Sequence, residues 1–223
     1  MGLPLHKDVS SMDHEQRTKA TNHQDPELAA KVVRSIGEIE TQFFHAAGPL
    51  SERMMSEALV AIEKVVTSPW EFIENDWTPQ VVCPEWKMTR GVGTGDMWLQ
   101  VTEISADEDE YEHTWIAAVT KTVPSQLCVQ LMFRKGLQDH AQAAIKDMKA
   151  IGPVLEKGFV RDDANLALFV PIHIPAEKLA QGFAQNDLTP TVQPFAKAMQ
   201  AALAAKPVLD KLLEGIRAAA KTK

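Results

Sequence analysis

The sequence predicts an α+β protein with a central, mostly antiparallel sheet of about six strands, flanked by an N-terminal helical hairpin and by C-terminal helices. Apolar residues recur at helical spacing after residue 25 and again in the last third of the chain. Between these segments, runs rich in Val, Ile and Trp alternate at a period of two. Their connections are too short for the crossovers that parallel strands need, so antiparallel pairing is favoured.

The domain organisation follows from a change in composition near residue 25. The segment before it is polar and almost free of large apolar side chains, so it is predicted to be a flexible tail at 1–25. Residues 26–223 are predicted to form a single α+β domain. Its parts are a helical hairpin at 26–67, a sheet with one inserted helix at 80–174 and a helical tail at 175–223.

The helical hairpin is predicted to begin at Asp25, a good N-cap, with Pro26 in the first helical position. Gly48-Pro49 is expected to end the first helix, and Ser51 to start the second, because proline disrupts a helix interior. One apolar stripe is expected on the first helix, and it comprises Leu28, Val32, Val33, Ile36, Ile39, Phe43 and Phe44.

The sheet region predicts strands that are rich in β-branched and aromatic residues and are bounded by turn residues. They are expected at 80–88, 97–104, 113–121 and 126–134, with a further hairpin over 158–174. Helices are expected at 137–151, 175–182, 189–205 and 207–221.

A glycine cluster, Arg90-Gly91-Val92-Gly93-Thr94-Gly95-Asp96, precedes the second of these strands. A dinucleotide-binding fingerprint needs a glycine at the sixth position and a helix after it, but Asp96 and a strand stand there. The cluster is therefore predicted to be a hairpin connection in which glycine supplies positive φ angles. A backbone nest for an anion is the alternative.

Asp96 and Glu103 suggest the metal-dependent nucleases that place an Asp on one strand and a Glu-x-Lys on the next. The two carboxylates are expected on opposite faces of their strand, and Lys121 has no acidic residue two positions before it. The order of a small sheet and paired helices ending in VLDKLLEGIR (208–217) is similar to C-terminal regions of some bacterial nuclease-superfamily and phage-defence proteins. A nuclease, or a degenerate relative of one, is therefore kept as an alternative function.

Candidate binding residues come from an acidic run and from the tryptophans. The run has five carboxylates in six residues without the spacing of a calcium loop, so it is predicted to be a solvated loop that attracts a basic partner. Most of the five tryptophans are expected in the core, while Trp86 and Trp98 form a candidate recognition face with Arg90. The carboxylates of the run are Asp107, Glu108, Asp109, Glu110 and Glu112.

No complete catalytic constellation is present in the sequence, and no catalytic residue, metal or cofactor is predicted. Cys83 and Cys128 lie in apolar runs and are expected to be buried free thiols. A net charge of −7 and the lack of a basic groove make nucleic acid a less favoured partner than protein.

The sequence thus predicts a non-enzymatic binding or regulatory module that acts through protein contacts. The partner is expected to be a protein of basic character, and the oligomeric state stays open. A cytoplasmic location without membrane contact is expected, because no apolar run is long enough to span a bilayer and no signal peptide is evident. A small-ligand pocket between sheet and helices is the second alternative.

Overall fold

A computed structural model of the protein describes residues 25–74, 78–87, 95–105 and 113–221. The strands are β1 (Glu71–Ile73), β2 (Gln80–Val82), β3 (Met97–Ile104), β4 (Gln126–Phe133), β5 (Val160–Asp162) and β6 (Ala167–Pro171). The α-helices are α1 (Pro26–His45), α2 (Ser51–Glu63), α3 (Trp115–Thr120), α4 (Gln138–Lys146), α5 (Met148–Leu155), α6 (Ala176–Ala184), α7 (Gln193–Ala204) and α8 (Lys206–Lys221).

The predicted α+β class is confirmed. Within the described ranges, the strands form one six-stranded sheet in the order β1-β2-β3-β4-β6-β5, and every neighbouring pair is antiparallel. The predicted bounds of β3 are confirmed, and β4 ends one residue earlier than predicted. No helix in the described part of the chain is both long enough and apolar enough to cross a membrane.

The chain divides into two compact units, Met1–Phe44 and His45–Lys223. The described residues of the first unit belong to α1, apart from Asp25 before it, and none of the residues of α1 is buried. The second unit contains the sheet, the other helices and a large apolar core. The boundary predicted at residue 25 stays a prediction, because the residues before it lie outside the described part.

The helix-ending turn predicted at Gly48-Pro49 is not observed. Ala46–Leu50 form a π-helix, and the residues flanking it, His45 and Ser51, have α-helical angles, so the backbone stays helical from α1 into α2. A π-helical turn accommodates Pro49, which lacks the amide hydrogen for an α-helical bond. The Ser51 hydroxyl donates to the Ala46 carbonyl at 2.7 Å, which satisfies one backbone acceptor of the widened turn.

The core of the second unit lies on one face of the sheet. Met97, Leu99 and Val101 alternate along β3 and are fully buried there. The α2, α7 and α8 helices add their buried faces to the same core. The opposite sheet face carries a separate small cluster, which consists of Ile104, Cys128, Ala167 and Phe169.

The strand predicted at 113–121 is wrong, because residues 115–120 form α3. The Thr114 side chain accepts a hydrogen bond from the amide of Ala117 at 3.2 Å, which caps the first turn. Lys121 ends the helix in a left-handed conformation with φ of 55°. The sheet still has six strands, because β1 lies in an aromatic segment for which no strand was predicted.

Two other predicted elements are interrupted. The strand expected at 80–88 is regular only as far as Val82, and Pro84–Trp86 form a 3₁₀ turn. The helix expected at 137–151 divides at Asp147, whose extended backbone separates α4 from α5. The Asp147 carboxylate accepts from the amide of Lys149 at 2.9 Å and thereby caps α5.

Candidate functional site

Trp86 lies in the interior of the second unit. Its side chain is 1% exposed, and its indole Nε1 donates a hydrogen bond of 2.7 Å to Oδ1 of Asp210 on α8. The Trp70 ring packs edge-on against it, with centroids 5.0 Å apart and an interplanar angle of 85°. Trp86 therefore has almost no surface of its own to offer a partner.

Trp98 lies on the sheet face opposite the side chains of Met97 and Leu99, and it is half-buried. Its Nε1 donates to Oε1 of Gln100 at 3.0 Å, and Gln80 donates to the same oxygen at 3.2 Å. Arg90 and the acidic residues Asp107, Glu108, Asp109, Glu110 and Glu112 lie outside the described residues. The predicted contact surface of tryptophan, arginine and acidic residues therefore stays a prediction.

Asp96 is the centre of a charge cluster that joins three parts of the second unit. It directly precedes β3 and is 6% exposed. Its Oδ1 pairs with Nε of Arg134, just after β4, and its Oδ2 pairs with Nε of Arg217 on α8 at 2.7 Å. The Arg217 guanidinium also donates to the Glu85 carbonyl at 3.3 Å.

The backbone holds Asp96 in this position. Its amide donates to the Trp86 carbonyl at 2.7 Å, and its carbonyl accepts from the Arg134 amide at 3.1 Å. Gly95 has a φ of 130°, and a Cβ there would lie 2.8 Å from the Trp86 carbonyl oxygen. The glycine predicted to supply a positive φ is thus observed at Gly95, where the close backbone approach also requires it.

This charge cluster does not resemble a metal centre. Both oxygens of Asp96 are engaged by guanidinium groups, and Glu103 lies near the other end of β3. Among the described residues, no group of three or more His, Cys, Asp or Glu side chains could hold a metal ion. The cluster connects the start of β3 and the end of β4 to α8, so we assign it a role in stability.

A second polar cluster lies beside the first. Lys206 binds Oδ2 of Asp210 at 2.9 Å and lies 3.8 Å from Glu85. The hydrogen bond to Asp210 raises the pKa of Lys206. Hydrogen bonds from its own backbone amide and from the Cys83 thiol lower the pKa of Glu85. Burial, reinforced by the bond to Glu85, raises the pKa of Cys83 to about 12, so this thiol is protonated and unreactive at neutral pH.

Among the described residues, α1 carries most of the exposed large apolar side chains. Seven of the ten exposed large apolar side chains among the described residues belong to this helix, and their exposed fractions run from 39% to 72%. The sequence predicted which residues share this face but placed it inside a helical hairpin. We call this surface the α1 stripe, and it consists of Leu28, Val32, Val33, Ile36, Ile39, Phe43 and Phe44.

A groove of about 530 Å³ lies between α4, α5 and α8 in the second unit. Small and apolar side chains form most of its wall, including Ala144, Pro153 and Ile216. Lys149 and Lys211 add positive charge to the lining, and Asp147 adds one negative charge. No signal in the sequence marked this groove, because its wall is assembled from three separate helices.

Comparison of the chain with protein-family models, with curated proteins and with solved structures finds no match.

Proposed function

We propose that the protein is a cytoplasmic, non-enzymatic binding module that acts through protein contacts, with the α1 stripe as its docking surface. The observation that carries this proposal is the exposure of seven large apolar side chains on one face of a helix without buried residues. Helices gain most of their stability from packing their apolar face, and contiguous exposed apolar patches are typical of interaction sites.

The charges of α1 favour a protein over a membrane as the partner. Helices that lie on membranes usually carry an excess of Lys and Arg, which anionic lipids attract. Here three carboxylates outnumber two cationic side chains, so the net charge of the polar face is negative. The carboxylates are those of Glu27, Glu38 and Glu40, and the cations are Lys31 and Arg34.

The acidic run at 107–112 is proposed as a second contact region, which selects partners of basic character. Such a region accelerates encounter by long-range attraction, so its contribution to the association rate should decrease as salt is added.

Site-specific photo-crosslinking tests the docking role of the stripe. A benzophenone amino acid placed at Phe44 should give covalent adducts in the native extract, because this side chain is 70% exposed. The matched control carries the same probe at Val160, an apolar residue of β5 that is 43% exposed. Adducts at neither position, or equal adducts at both, would contradict the proposal.

Small-ligand binding is a second candidate function, favoured by the groove between α4, α5 and α8. Its apolar wall and the cations Lys149 and Lys211 suit a ligand with an apolar body and an anionic group. Medium-chain fatty acids should then raise the melting temperature of the protein, and Lys211→Glu should abolish this shift. Neutral alcohols of the same length are the control, and an equal shift with them would exclude an anion site.

A further inference from the structure

We infer that a cavity beside the π-helical turn binds a basic side chain, lysine or arginine, of the partner protein. The cavity has a volume of about 290 Å³, and the described residues that line it are Ala47 of the turn, Ser51 and Glu52 of α2, and Trp115 of α3. The inference rests on the basic partner of the proposed function and names the contact that recognises it.

The π-helical turn and α3 form the cavity together. The two elements are in contact, and Trp115 is the first residue of α3. Ala47 and Ser51 have small side chains, which leave space beside the indole of Trp115. This indole is only half-buried, so part of its ring surface is accessible. Single π-helical turns are frequent at functional sites, which agrees with a binding role here.

The charge of the lining favours a cation. Glu52 is the only charged residue among the described residues around the cavity, and it pairs with no cationic side chain of the described ranges. The neighbouring Arg53 guanidinium lies instead over the ring of Phe183, 6.0 Å from its centroid. The face of the Trp115 ring carries partial negative charge and attracts cations as well.

The polar atoms of the lining suit a ligand that donates hydrogen bonds. Ser51 is 7% exposed, and its hydroxyl hydrogen is donated to the Ala46 carbonyl at 2.7 Å, so its oxygen can only accept from a ligand. The Glu52 carboxylate is also an acceptor. Ammonium and guanidinium groups supply the matching N–H donors. The cavity is at the small end of the range for ligand pockets, roughly 300–1,000 Å³, so it suits a single side chain.

Titration of the isotope-labelled full chain with N-acetyl-lysine methylamide, and with its arginine counterpart, tests the cavity by NMR. Both probes should shift the indole N–H signal of Trp115 and should saturate with a Kd of about 1–10 mM. Trp115→Phe identifies this signal by its loss. The norleucine counterpart has a similar stem without the charge and should bind about tenfold more weakly. An equal shift with norleucine, or no shift with the basic probes, would overturn the inference.

A matched pair of variants tests the contact with Glu52. Glu52→Gln should weaken binding of the lysine probe about threefold, because it removes the charge of an exposed ion pair. Glu63→Gln changes another exposed carboxylate of α2 that does not line the cavity, and it should bind like the wild type. Equal affinities of the two variants would contradict the assigned role of Glu52.

Crosslinking distinguishes a partner side chain from a free organic cation. Glu52→Lys should lower the yield of adducts from the probe at Phe44 about threefold, since it repels the basic side chain, while Glu63→Lys should leave the yield unchanged. Unchanged yields in both variants would assign the cavity to a free cation and overturn the partner contact. A wild type without adducts would contradict the docking role of the α1 stripe instead, and the titration would still decide whether the cavity binds a cation.

Discussion

The indole nitrogen of Trp86 donates a hydrogen bond of 2.7 Å to a carboxylate oxygen of Asp210, 124 positions later in the chain. Trp86 is buried, while the Asp210 side chain is 34% exposed and also binds Lys206. One contact thus joins the turn after β2 to the last described helix. It lies beside the paired arginines of Asp96, so two adjacent contacts attach α8 to the sheet region.

The Trp86–Asp210 bond should appear as a coupling energy in a double-mutant cycle. Trp86→Phe and Asp210→Ala should each destabilise the fold, and their combined effect should be smaller than the sum by about 1.5 kcal/mol, as expected for a hydrogen bond to a charged acceptor. The Lys206 contact is lost in both proteins that carry Asp210→Ala, so it cancels in the cycle. Urea denaturation of the four proteins measures the coupling, and additive effects would contradict it.

Asp96→Asn should lower the free energy of unfolding by about 2–4 kcal/mol. The substitution keeps the size of the side chain but leaves the guanidinium groups of Arg134 and Arg217 without the carboxylate that they share. Glu214→Gln, an exposed carboxylate on α8, is the control and should change stability by less than about 0.5 kcal/mol. Equal stability of the two variants in urea would show that the cluster contributes nothing.

Removing the hydroxyl of Ser125 should stabilise the protein by about 1 kcal/mol. This Oγ is buried and has no hydrogen-bond partner among the described residues, so Ser125→Ala deletes an unsatisfied polar group. Ser51→Ala is the matched substitution and should destabilise by about 1 kcal/mol, because the Ser51 hydroxyl donates to the Ala46 carbonyl. Opposite signs in thermal unfolding are the expected result, and a loss of stability in both variants would contradict it.

Stability should fall as the pH rises above 9, in part because of Cys83. Burial raises the pKa of this thiol from 9.0 to about 12, so between these values the unfolded chain loses a proton that the folded chain keeps. The folded state then binds more protons, and higher pH favours unfolding. At pH 10 this one thiol lowers the free energy of unfolding by about 1.4 kcal/mol relative to neutral pH.

The variant Cys83→Ala isolates this contribution. Lys206 also has a raised pKa, and the stability from its pairing is lost as the pH rises through that folded pKa, so the wild-type slope above pH 10 has more than one cause. The variant removes only the thiol, and its stability should decline less steeply between pH 8.5 and 10.5. Parallel curves for variant and wild type in urea titrations would exclude the assigned cause.

The strands that were predicted well are those in which buried apolar residues alternate with other residues along the sequence. The core face of β3 shows in its sequence as Met97, Leu99 and Val101, with polar or large residues between them. The run 115–120 is apolar without a clear period, and local spacing does not decide its structure. Distant contacts support the helix there, since the Val119 carbonyl accepts from the Ile174 amide at 3.0 Å.

The candidate sites were less predictable than the fold. The burial of Trp86 depends on Asp210, which no local pattern connects with it. The helical spacing of the α1 stripe was visible in the sequence, but its exposure was not. The expected turn at Gly48-Pro49 implied that a second helix packs against the stripe, and this turn is not observed.

The position of Arg217 has a consequence for the protein during its synthesis. A ribosome releases the chain from the N-terminal end, so the strands emerge long before α8 does. Until residue 217 leaves the exit tunnel, Asp96 lacks one of its two guanidinium partners, and the core lacks Leu209, Leu212 and Ile216. The apolar face of the nascent sheet therefore stays exposed until α8 has emerged. Chaperones would bind the chain at this stage.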